Sequence, residues 1–237
     1  MNLFILAAGK GKRLKAMTKH IPKPLITIGT NGMTILEHNI NHALASQCFD
    51  QITVITGYKS HMIDQCLAKY QTANINTVFN DMYRENGPIS SLSQIERTIK
   101  EEDCVIINGD TLYDPMFYNH LKEQTNTGLY YSKKELYQQD EVKVTILNQN
   151  IQYASKNITL DEIDGVSTGF VILKGLAVRE RFCYYVDKMS TTNYMWHEII
   201  NKLIQEGLSF CTFEIGEEYW YEIDTVHDYN KYQLLKG

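Results

Sequence analysis

A short apolar run at the start of the chain leads directly into a basic, glycine-rich segment. Residues 3–8 are all apolar, and residues 9–13 contain two glycines and three basic side chains. A continuous apolar run of this length that ends at glycine is typical of a buried strand. Glycine lets the backbone approach a ligand closely, and cations beside backbone N–H groups favour a polyphosphate. The sequence therefore predicts a first strand followed by a phosphate-binding loop.

Two common glycine-rich loops do not fit this segment. The dinucleotide fingerprint requires a third glycine where this chain has Leu14, and a P-loop ends in Gly-Lys-Ser/Thr rather than Gly11-Lys12-Arg13. A tight strand-to-loop connection with solvated lysines would explain the glycines. It would not explain why Arg13 is followed closely by Lys23, which stands between two prolines.

The combined pattern is Leu-Ala-Ala-Gly-x-Gly-x-Arg-Leu followed by Pro-Lys-Pro-Leu. It closely resembles the signature of the nucleotidyltransferase family with a GT-A-like fold, which includes bacterial choline-phosphate cytidylyltransferases and sugar-1-phosphate nucleotidylyltransferases. The resemblance implies that Arg13 contacts the departing pyrophosphate and that Lys23 contacts the phosphate of the acceptor. This chain has Lys15-Ala16-Met17-Thr18 where the family usually has Pro-Leu-Thr, so the path of the loop stays open.

Composition limits the classes of partner. The net charge of −5 argues against binding to bulk nucleic acid or to an anionic membrane, both of which favour a basic surface. No apolar stretch approaches the roughly 20 residues of a membrane span, and the first eight residues do not make a signal peptide. The five cysteines are odd in number and widely spaced, which is typical of reduced packing residues. We expect a cytoplasmic protein that is a monomer or a homodimer.

Strand and helix patterns alternate along the first half of the chain and predict a mainly parallel sheet. We expect one α/β domain over residues 1–237 with a doubly wound, Rossmann-like mixed sheet of the GT-A type. Residues 1–112 would bind the nucleotide, and residues 113–237, with a smaller antiparallel part, would bind the acceptor. The strands are predicted at 25–28, 51–56, 75–79, 104–110, 127–132, 142–147, 151–154, 169–173, 209–213 and 219–223, and the helices from Thr34, at 60–69, from Ser90, from Asp114, at 193–206 and at 226–235.

Two aspartates each follow a predicted strand. Asp110 ends the apolar run that starts at Cys104, and Asp224 ends the run that starts at Tyr219. Ligands of open α/β sheets bind beyond the carboxyl ends of the strands, so both side chains are expected in one crevice. Two carboxylates and nucleotide phosphates suit Mg²⁺, although each aspartate could instead cap a following helix. The resemblance favours the metal, because the corresponding aspartates of the family hold a catalytic Mg²⁺.

A polar segment from Asn80 to Leu92 would read the nucleobase, as the resemblance implies. Its pattern is closer to that of choline-phosphate cytidylyltransferases than to that of the sugar enzymes, which favours CTP. An Asx-turn and a helix N-cap would also explain Asn86 and Ser90. The predicted nucleotide-binding residues are Leu6, Ala7, Ala8, Gly9, Gly11, Lys12, Arg13, Asn80, Asn86, Gly87, Ser90, Ser91 and Asp110.

Aromatic side chains and carboxylates are concentrated late in the chain, where both tryptophans lie. Aromatic faces beside carboxylates suit a quaternary ammonium or an amine, although core packing explains any single aromatic equally well. Asp164, in a polar loop before a strand, is a further candidate. The predicted acceptor-binding residues are Lys23, Asp164, Trp196, Tyr219, Trp220 and Glu222.

These features favour an Mg²⁺-dependent cytidylyltransferase that transfers CMP to a small phosphorylated head group, such as phosphocholine or phosphoethanolamine, for cell-surface glycan or lipid decoration. The alternative within the family is a sugar-1-phosphate nucleotidylyltransferase that uses UTP or dTTP. A non-catalytic nucleotide sensor and a dinucleotide oxidoreductase are the alternatives from other classes. The missing third glycine counts against the oxidoreductase.

Overall fold

The computed structural model of the chain describes residues 1–70 and 74–236. The strands in chain order are β1 (Asn2–Ala7), β2 (Thr27–Ile28), β3 (Met33–Thr34), β4 (Gln51–Thr56), β5 (Ile75–Phe79), β6 (Cys104–Asn108), β7 (Thr111–Tyr113), β8 (Gly128–Ser132), β9 (Lys143–Leu147), β10 (Asn150–Ser155), β11 (Gly165–Leu173), β12 (Cys211–Glu214) and β13 (Trp220–Glu222). The α-helices are α1 (Ile35–Ser46), α2 (Ser60–Leu67), α3 (Ile89–Ser93), α4 (Glu96–Glu101), α5 (Pro115–Asn119), α6 (Leu176–Met189), α7 (His197–Gln205) and α8 (Val226–Lys236).

The chain forms two compact units, each built from separate segments. The first unit contains Met1–Arg84, Ile107–Gln124 and Tyr219–Gly237, and the second contains Glu85–Ile106 and Thr125–Glu218. The predicted division at residue 112 does not follow these units, because the chain passes between them four times. The last strand and helix, β13 and α8, therefore belong with the N-terminal segment.

Parallel strands form the centre of the first unit. β1 pairs in parallel with β4, and β4 pairs in parallel with β5, with α1 and α2 in the connections as predicted. Leu3, Phe4 and Ile5 of β1 are fully buried, which explains why the chain begins with a continuous apolar run. The strand thus ends at a fixed position, and the basic segment that follows leaves the sheet from there.

Side chains of α1 bind the backbone of β7. The helix begins with the predicted capping box, in which Glu37 N donates to Thr34 Oγ1 at 3.2 Å. One turn later, Asn39 Nδ2 donates to the carbonyl oxygen of Thr111 at 2.7 Å, and Tyr113 N donates to Asn39 Oδ1 at 3.2 Å. Ring nitrogens of His38 and His42 lie 3.1 and 3.2 Å from the same carbonyl oxygen of Tyr113. These contacts fix β7 and with it the neighbouring Asp110.

The second unit is mixed and mostly antiparallel. Antiparallel pairs join β8 with β11, β9 with β10 and β9 with β11, whereas β8 and β12 are parallel. The turn between β9 and β10 has Asn148 and Gln149 at φ values of 50° and 60°, as a two-residue hairpin turn requires. The predicted antiparallel excursion after the parallel part of the chain is therefore confirmed.

Some local predictions were wrong. The strand predicted at 25–28 is a 3₁₀ turn at Lys23–Leu25 followed by the short β2, because proline fixes φ and donates no ladder hydrogen bond. The helix predicted at 193–206 begins only at His197. The sequence analysis predicted no helix where α6 lies. The buried face of α6 includes Arg179 beside Phe182, Cys183 and Val186, and this charged residue interrupts the apolar periodicity by which an amphipathic helix is identified. Among the described helices, none combines the length and the apolar character that a membrane crossing requires.

Candidate active site

The basic loop, residues 9–22, folds back onto Lys23. Gly11 has a left-handed φ of 63°, and a Cβ atom placed on it would lie 2.9 Å from Lys23 Cβ, so only glycine fits without a shift. Thr18 Oγ1 donates to the carbonyl oxygen of Gly11 at 2.9 Å and closes the loop from within. The buried side chain of Leu14 anchors it to the apolar core below.

Lys15 lies where the chain departs from the family pattern. It has φ 52° and ψ −116°, a combination that non-glycine residues rarely adopt. Such strain persists only where the surrounding structure holds the backbone in place, and it is common at ligand-binding loops. The loop therefore follows a defined path although the proline of the family pattern is absent.

Lys23 joins the two predicted aspartates. Its Nζ donates to Asp110 Oδ2 at 2.8 Å and to Asp224 Oδ1 at 2.7 Å, while Arg13 forms a second ion pair with Asp224. The Lys23 side chain is only 6% exposed. Burial alone would lower the pKa of Lys23, but the charges and hydrogen bonds of Asp110 and Asp224 outweigh burial and raise that pKa above its usual value. Lys23 is therefore charged at neutral pH.

An antiparallel ladder brings the aspartates together. Thr111 of β7 lies opposite Glu222 of β13, and Ile223 N donates to the carbonyl oxygen of Asp110 at 3.1 Å. Asp110 thus stands at the start of one short strand and Asp224 just after the end of its antiparallel partner. The sequence predicted a shared crevice from the carboxyl ends of strands in one sheet. The prediction that Asp110 and Asp224 lie close together is correct. The reason is the antiparallel pairing of β7 with β13.

Gly109 fixes Asp110 to the first strand. Its N–H donates to the carbonyl oxygen of Leu6 at 3.0 Å, and a Cβ atom at this position would lie 2.5 Å from that oxygen. A larger residue would push Asp110 away from β1 and from the basic loop that follows it. The glycine therefore couples the metal candidate to the loop.

Neither aspartate caps a helix, which was the alternative explanation for both. Asp114 caps α5, since Met116 N donates to Asp114 Oδ1 at 3.0 Å. At the start of α8, Asp228 N donates to Thr225 Oγ1 at 3.2 Å, and Thr225 N donates to Asp228 Oδ2 at 2.7 Å. The carboxylates of Asp110 and Asp224 instead bind the ammonium of Lys23.

Glu222 joins the same cluster. Carboxylate oxygens of Asp110, Glu222 and Asp224 lie within 4.8 Å of one another. Burial, together with the charges of Asp110 and Asp224, raises the pKa of Glu222 to about 8. Three carboxyl groups whose oxygens lie this close together fit Mg²⁺, which prefers carboxylate ligands and retained waters. Glu222 was predicted as an acceptor contact, whereas the structure places it among the metal candidates.

Comparison with known proteins decides the family. A model of the family described as nucleotidyl transferase matches residues 3–143, which include the basic loop, Lys23 and Asp110. The chain belongs to the nucleotidyl transferase family. The resemblance drawn from the loop and from Lys23 is thereby confirmed, and the protein is a nucleotidyltransferase.

Relatives of this nucleotidyl transferase match along its whole length. The choline-phosphate cytidylyltransferase of Streptococcus pneumoniae is 28% identical over 100% of this chain and 99% of its own. The D-glycero-α-D-manno-heptose 1-phosphate guanylyltransferase of Aneurinibacillus thermoaerophilus is 26% identical over 98% of this chain and 97% of its own. The solved structure of the CTP:phosphocholine cytidylyltransferase from Streptococcus pneumoniae superposes with a TM-score of 0.82 at 23% identity, over 99% of this chain and 98% of that one. That likeness establishes the mixed α/β nucleotidyltransferase fold.

Other predicted site residues also belong to the first unit. Ala7 and Ala8 are buried, and Asn80 is 1% exposed with its Oδ1 accepting a hydrogen bond from Met82 N at 2.9 Å. Trp220 is 7% exposed and lies opposite Tyr113 in the β7–β13 ladder. Leu6, Gly9, Lys12 and Tyr219 also belong to this unit of the nucleotidyl transferase. Their contacts with a nucleotide or an acceptor stay predictions.

The remaining predicted residues belong to the second unit. They are Asn86, Gly87, Ser90, Ser91, Asp164 and Trp196. Gly87 N donates to the carbonyl oxygen of Thr192 at 3.1 Å, and Ser90 Oγ donates to the carbonyl oxygen of Gly87 at 2.8 Å. Asp164 is exposed and accepts a hydrogen bond from Ile146 N at 2.6 Å, whereas Trp196 is 6% exposed. Gly87 thus braces the predicted base-reading segment against Thr192.

The sequence did not predict two groups of residues that support the candidate site. Asp228 orients the backbone at Asp224 and Thr225, accepting from both N–H groups at 3.1 and 2.7 Å. The spacing Thr225-x-x-Asp228 is a capping-box pattern and could have revealed it. Tyr58 and Lys59 contact the far end of the basic loop. Only their position directly after the predicted strand at 51–56 pointed to them.

Proposed function

We propose that this nucleotidyltransferase is a cytidylyltransferase that transfers CMP from CTP to a small phosphorylated head group, such as phosphocholine or phosphoethanolamine, and releases pyrophosphate. The observation that carries the proposal is the ion cluster of Lys23, Asp110 and Asp224, with Arg13 of the basic loop paired to the same Asp224. The cluster supports the proposal because cations that could bind two phosphate-bearing substrates lie beside carboxylates that could bind a metal.

The reaction is a substitution at the α-phosphorus of the nucleotide. An oxygen of the acceptor phosphate forms the new P–O bond, and the bond to the pyrophosphate oxygen breaks. The acceptor phosphate is already ionised at neutral pH, so no general base is needed. Arg13 and Lys12 would neutralise the leaving pyrophosphate, and Lys23 would orient the incoming phosphate.

Asp110, Glu222 and Asp224 are the residues that would hold Mg²⁺. The bound ion would supply positive charge to the phosphate oxygens of the nucleotide. Asp228 and Gly109 would keep the two aspartates in position through the backbone contacts of Asp224 and Asp110. The chain itself would thus supply both the metal-binding carboxylates and the phosphate-binding cations of a nucleotidyl-transfer site.

The choice of CTP and of a head group with an ammonium rests on the relatives and on composition. The choline-phosphate cytidylyltransferase of Streptococcus pneumoniae matches over the whole chain. Aromatic rings and carboxylates suit an ammonium group, and the predicted acceptor residues include Tyr219 and Trp220 in the first unit and Asp164 and Trp196 in the second. We place the product in the decoration of cell-surface glycans or lipids.

The alternative is a sugar-1-phosphate nucleotidylyltransferase. It is favoured by the heptose 1-phosphate guanylyltransferase, which also matches over nearly the whole chain. Both candidate functions would use the same ion cluster, and they differ only in the nucleobase and in the acceptor.

The test is a matrix of CTP, UTP, dTTP, GTP and ATP against phosphocholine, phosphoethanolamine and a panel of sugar 1-phosphates, with pyrophosphate release as the readout. The proposal expects the highest kcat/KM with CTP and an amino-alcohol phosphate. A preference for a sugar 1-phosphate would establish the alternative. Nucleotide binding without turnover of any pair would contradict both and indicate a sensor.

A further inference from the structure

The turn between β4 and α2 holds both ends of the basic loop. At the start of the loop, Tyr58 N donates to the carbonyl oxygen of Ala8 at 3.0 Å. At its end, the hydroxyl of Tyr58 donates to the carbonyl oxygen of Lys19 at 2.9 Å, and Lys59 Nζ donates to the carbonyl oxygen of His20 at 2.8 Å. Two consecutive residues thus bind the backbone on either side of the phosphate-binding segment.

Two ammonium groups lie over the ring of Tyr58. Lys10 Nζ, from the basic loop, is 5.5 Å from the ring centroid, and Lys59 Nζ is 5.6 Å from it. Such cation–π contacts add a modest attraction at a partly exposed site. They connect the glycine-rich start of the loop to the same tyrosine whose hydroxyl holds its end.

Lys59 has a left-handed backbone conformation. Its φ of 52° and ψ of 43° are left-handed, and it begins α2 without a side-chain cap. A lysine in this conformation costs more than a glycine would, so its side chain offers something that glycine could not. The contact with His20 is the hydrogen bond that this side chain makes.

We propose that Tyr58 and Lys59, here called the loop clasp, are positioning residues that order the basic loop before the nucleoside triphosphate binds. The proposal rests on the nucleotidyl-transfer function proposed above. A loop of 14 residues that had to become ordered on binding would spend part of the binding energy on its own conformational entropy. If the clasp only orders the loop in advance, the nucleotide-bound loop keeps its structure without it, and the loss should appear in the KM for the nucleotide and not in kcat.

The test compares Tyr58→Phe, Lys59→Met and the double variant with the wild type. Losing one hydrogen bond changes an equilibrium constant by about 5-fold, so we expect about a 5-fold rise in nucleotide KM for each single variant and about 25-fold for the double. The kcat and the acceptor KM should stay within about 2-fold. Unchanged nucleotide KM in the double variant, or an equal rise of both KM values, would overturn the proposal.

A matched pair of residues serves as control. Lys69 and Tyr70 are also neighbours in sequence, with Lys69 Nζ 5.2 Å from the ring centroid of Tyr70. The hydroxyl of Tyr70 donates to Asn41 Oδ1 at 2.8 Å, away from the basic loop. Tyr70→Phe and Lys69→Met should therefore leave the nucleotide KM unchanged. An equal effect in these variants would indicate general destabilisation and count against the clasp.

Limited trypsin digestion supplies a readout that does not depend on turnover. The clasp variants should be cut faster within the basic loop than the wild type and the controls, and adding nucleoside triphosphate should restore protection. Equal loop cleavage in all variants would overturn the clasp even if the substrate matrix showed activity. Conversely, a wild type that turns over no substrate pair would overturn the proposed function while the digestion still reports on the clasp. The sites lie at Lys10, Lys12, Arg13, Lys15 and Lys19.

Discussion

Lys23 Nζ lies 2.8 Å from Asp110 Oδ2, although 87 positions separate the two residues in sequence. The lysine is buried on a backbone held by Pro22 and Pro24, and the aspartate is held by the β7–β13 ladder. Both residues of the pair lie in the first unit. The same ammonium also binds Asp224. A substitution of any one of these three residues should therefore change the electrostatic environment of the other two.

Asp110→Asn should abolish turnover while the fold persists. The substitution keeps the shape of the side chain but removes the charge that faces Lys23 and that would bind Mg²⁺. Loss of an interaction that stabilises the transition state lowers kcat by about 10²- to 10³-fold or more. Pyrophosphate release measures the effect, and circular dichroism checks the fold.

Asp114→Asn is the matched control for this change. Asp114 caps α5 four residues further on, and asparagine caps helices as well as aspartate does. This variant should keep both the fold and the activity. Full activity of Asp110→Asn would contradict the proposal that Asp110 binds the metal ion.

Lys23→Met should increase the affinity of the substrate-free protein for a divalent cation. The ammonium now neutralises Asp110 and Asp224, and a metal ion has to compete with it for the same oxygens. Two unit charges 4 Å apart interact by about 4 kcal/mol at an effective dielectric constant near 20, so removing the competitor should tighten Mn²⁺ binding at least about tenfold.

Electron paramagnetic resonance of free Mn²⁺ measures this affinity without any substrate. Lys19→Met, which removes an exposed cation from the basic loop, should leave the affinity near that of the wild type. Weaker Mn²⁺ binding by Lys23→Met than by the wild type would mean that the carboxylates do not hold the metal.

Glu222→Gln distinguishes a metal contact from an acceptor contact. If Glu222 shares the metal with Asp110 and Asp224, the Mg²⁺ concentration for half-maximal activity should rise about tenfold, because one of three carboxylate ligands is lost. The KM for the acceptor should change little. Glu218→Gln, at an exposed acid of the same segment, is the control and should affect neither quantity. A rise in acceptor KM alone would return Glu222 to the acceptor site.

Local patterns of the sequence predicted the parts of the fold that depend on neighbouring residues. The apolar run before Gly9, the capping box at Thr34 and the hairpin turn at Asn148 are all short-range signals, and the structure confirms each of them. The two prolines around Lys23 likewise predicted a fixed lysine. These features need no knowledge of which distant segments meet.

The parts that were missed depend on contacts between distant segments. β7 has three residues, too few for a periodic pattern. The strand predicted at 219–223 is present as β13, but nothing local states that Glu222 pairs with Thr111. The α6 helix escaped prediction because Arg179 is buried through an ion pair with Asp103. Tyr58 binds the carbonyl oxygen of Lys19, and backbone groups carry no sequence signal.

His197 should make the stability of the protein depend on pH between about 4 and 6.5. Burial, together with the nearby charge of Lys156, lowers the pKa of His197 from 6.5 to about 4. The facing carboxylate of Glu198 lies 3.6 Å from Nε2 and does not offset burial. The unfolded chain therefore binds a proton at a higher pH than the folded one, and the free energy of unfolding falls as pH drops through this window.

Between pH 7 and pH 5 the contribution of His197 amounts to about 2 kcal/mol, since one pKa unit corresponds to about 1.4 kcal/mol and only part of the shift is sampled. Urea unfolding at the two pH values measures it. His197→Gln should lose this part of the pH dependence, because it has no group that titrates, whereas His61→Gln, at an exposed position of α2, should behave like the wild type. If His197→Gln and the wild type lost the same stability on acidification, His197 would have to take up its proton equally well in the folded and unfolded chain, and its burial would have no electrostatic consequence.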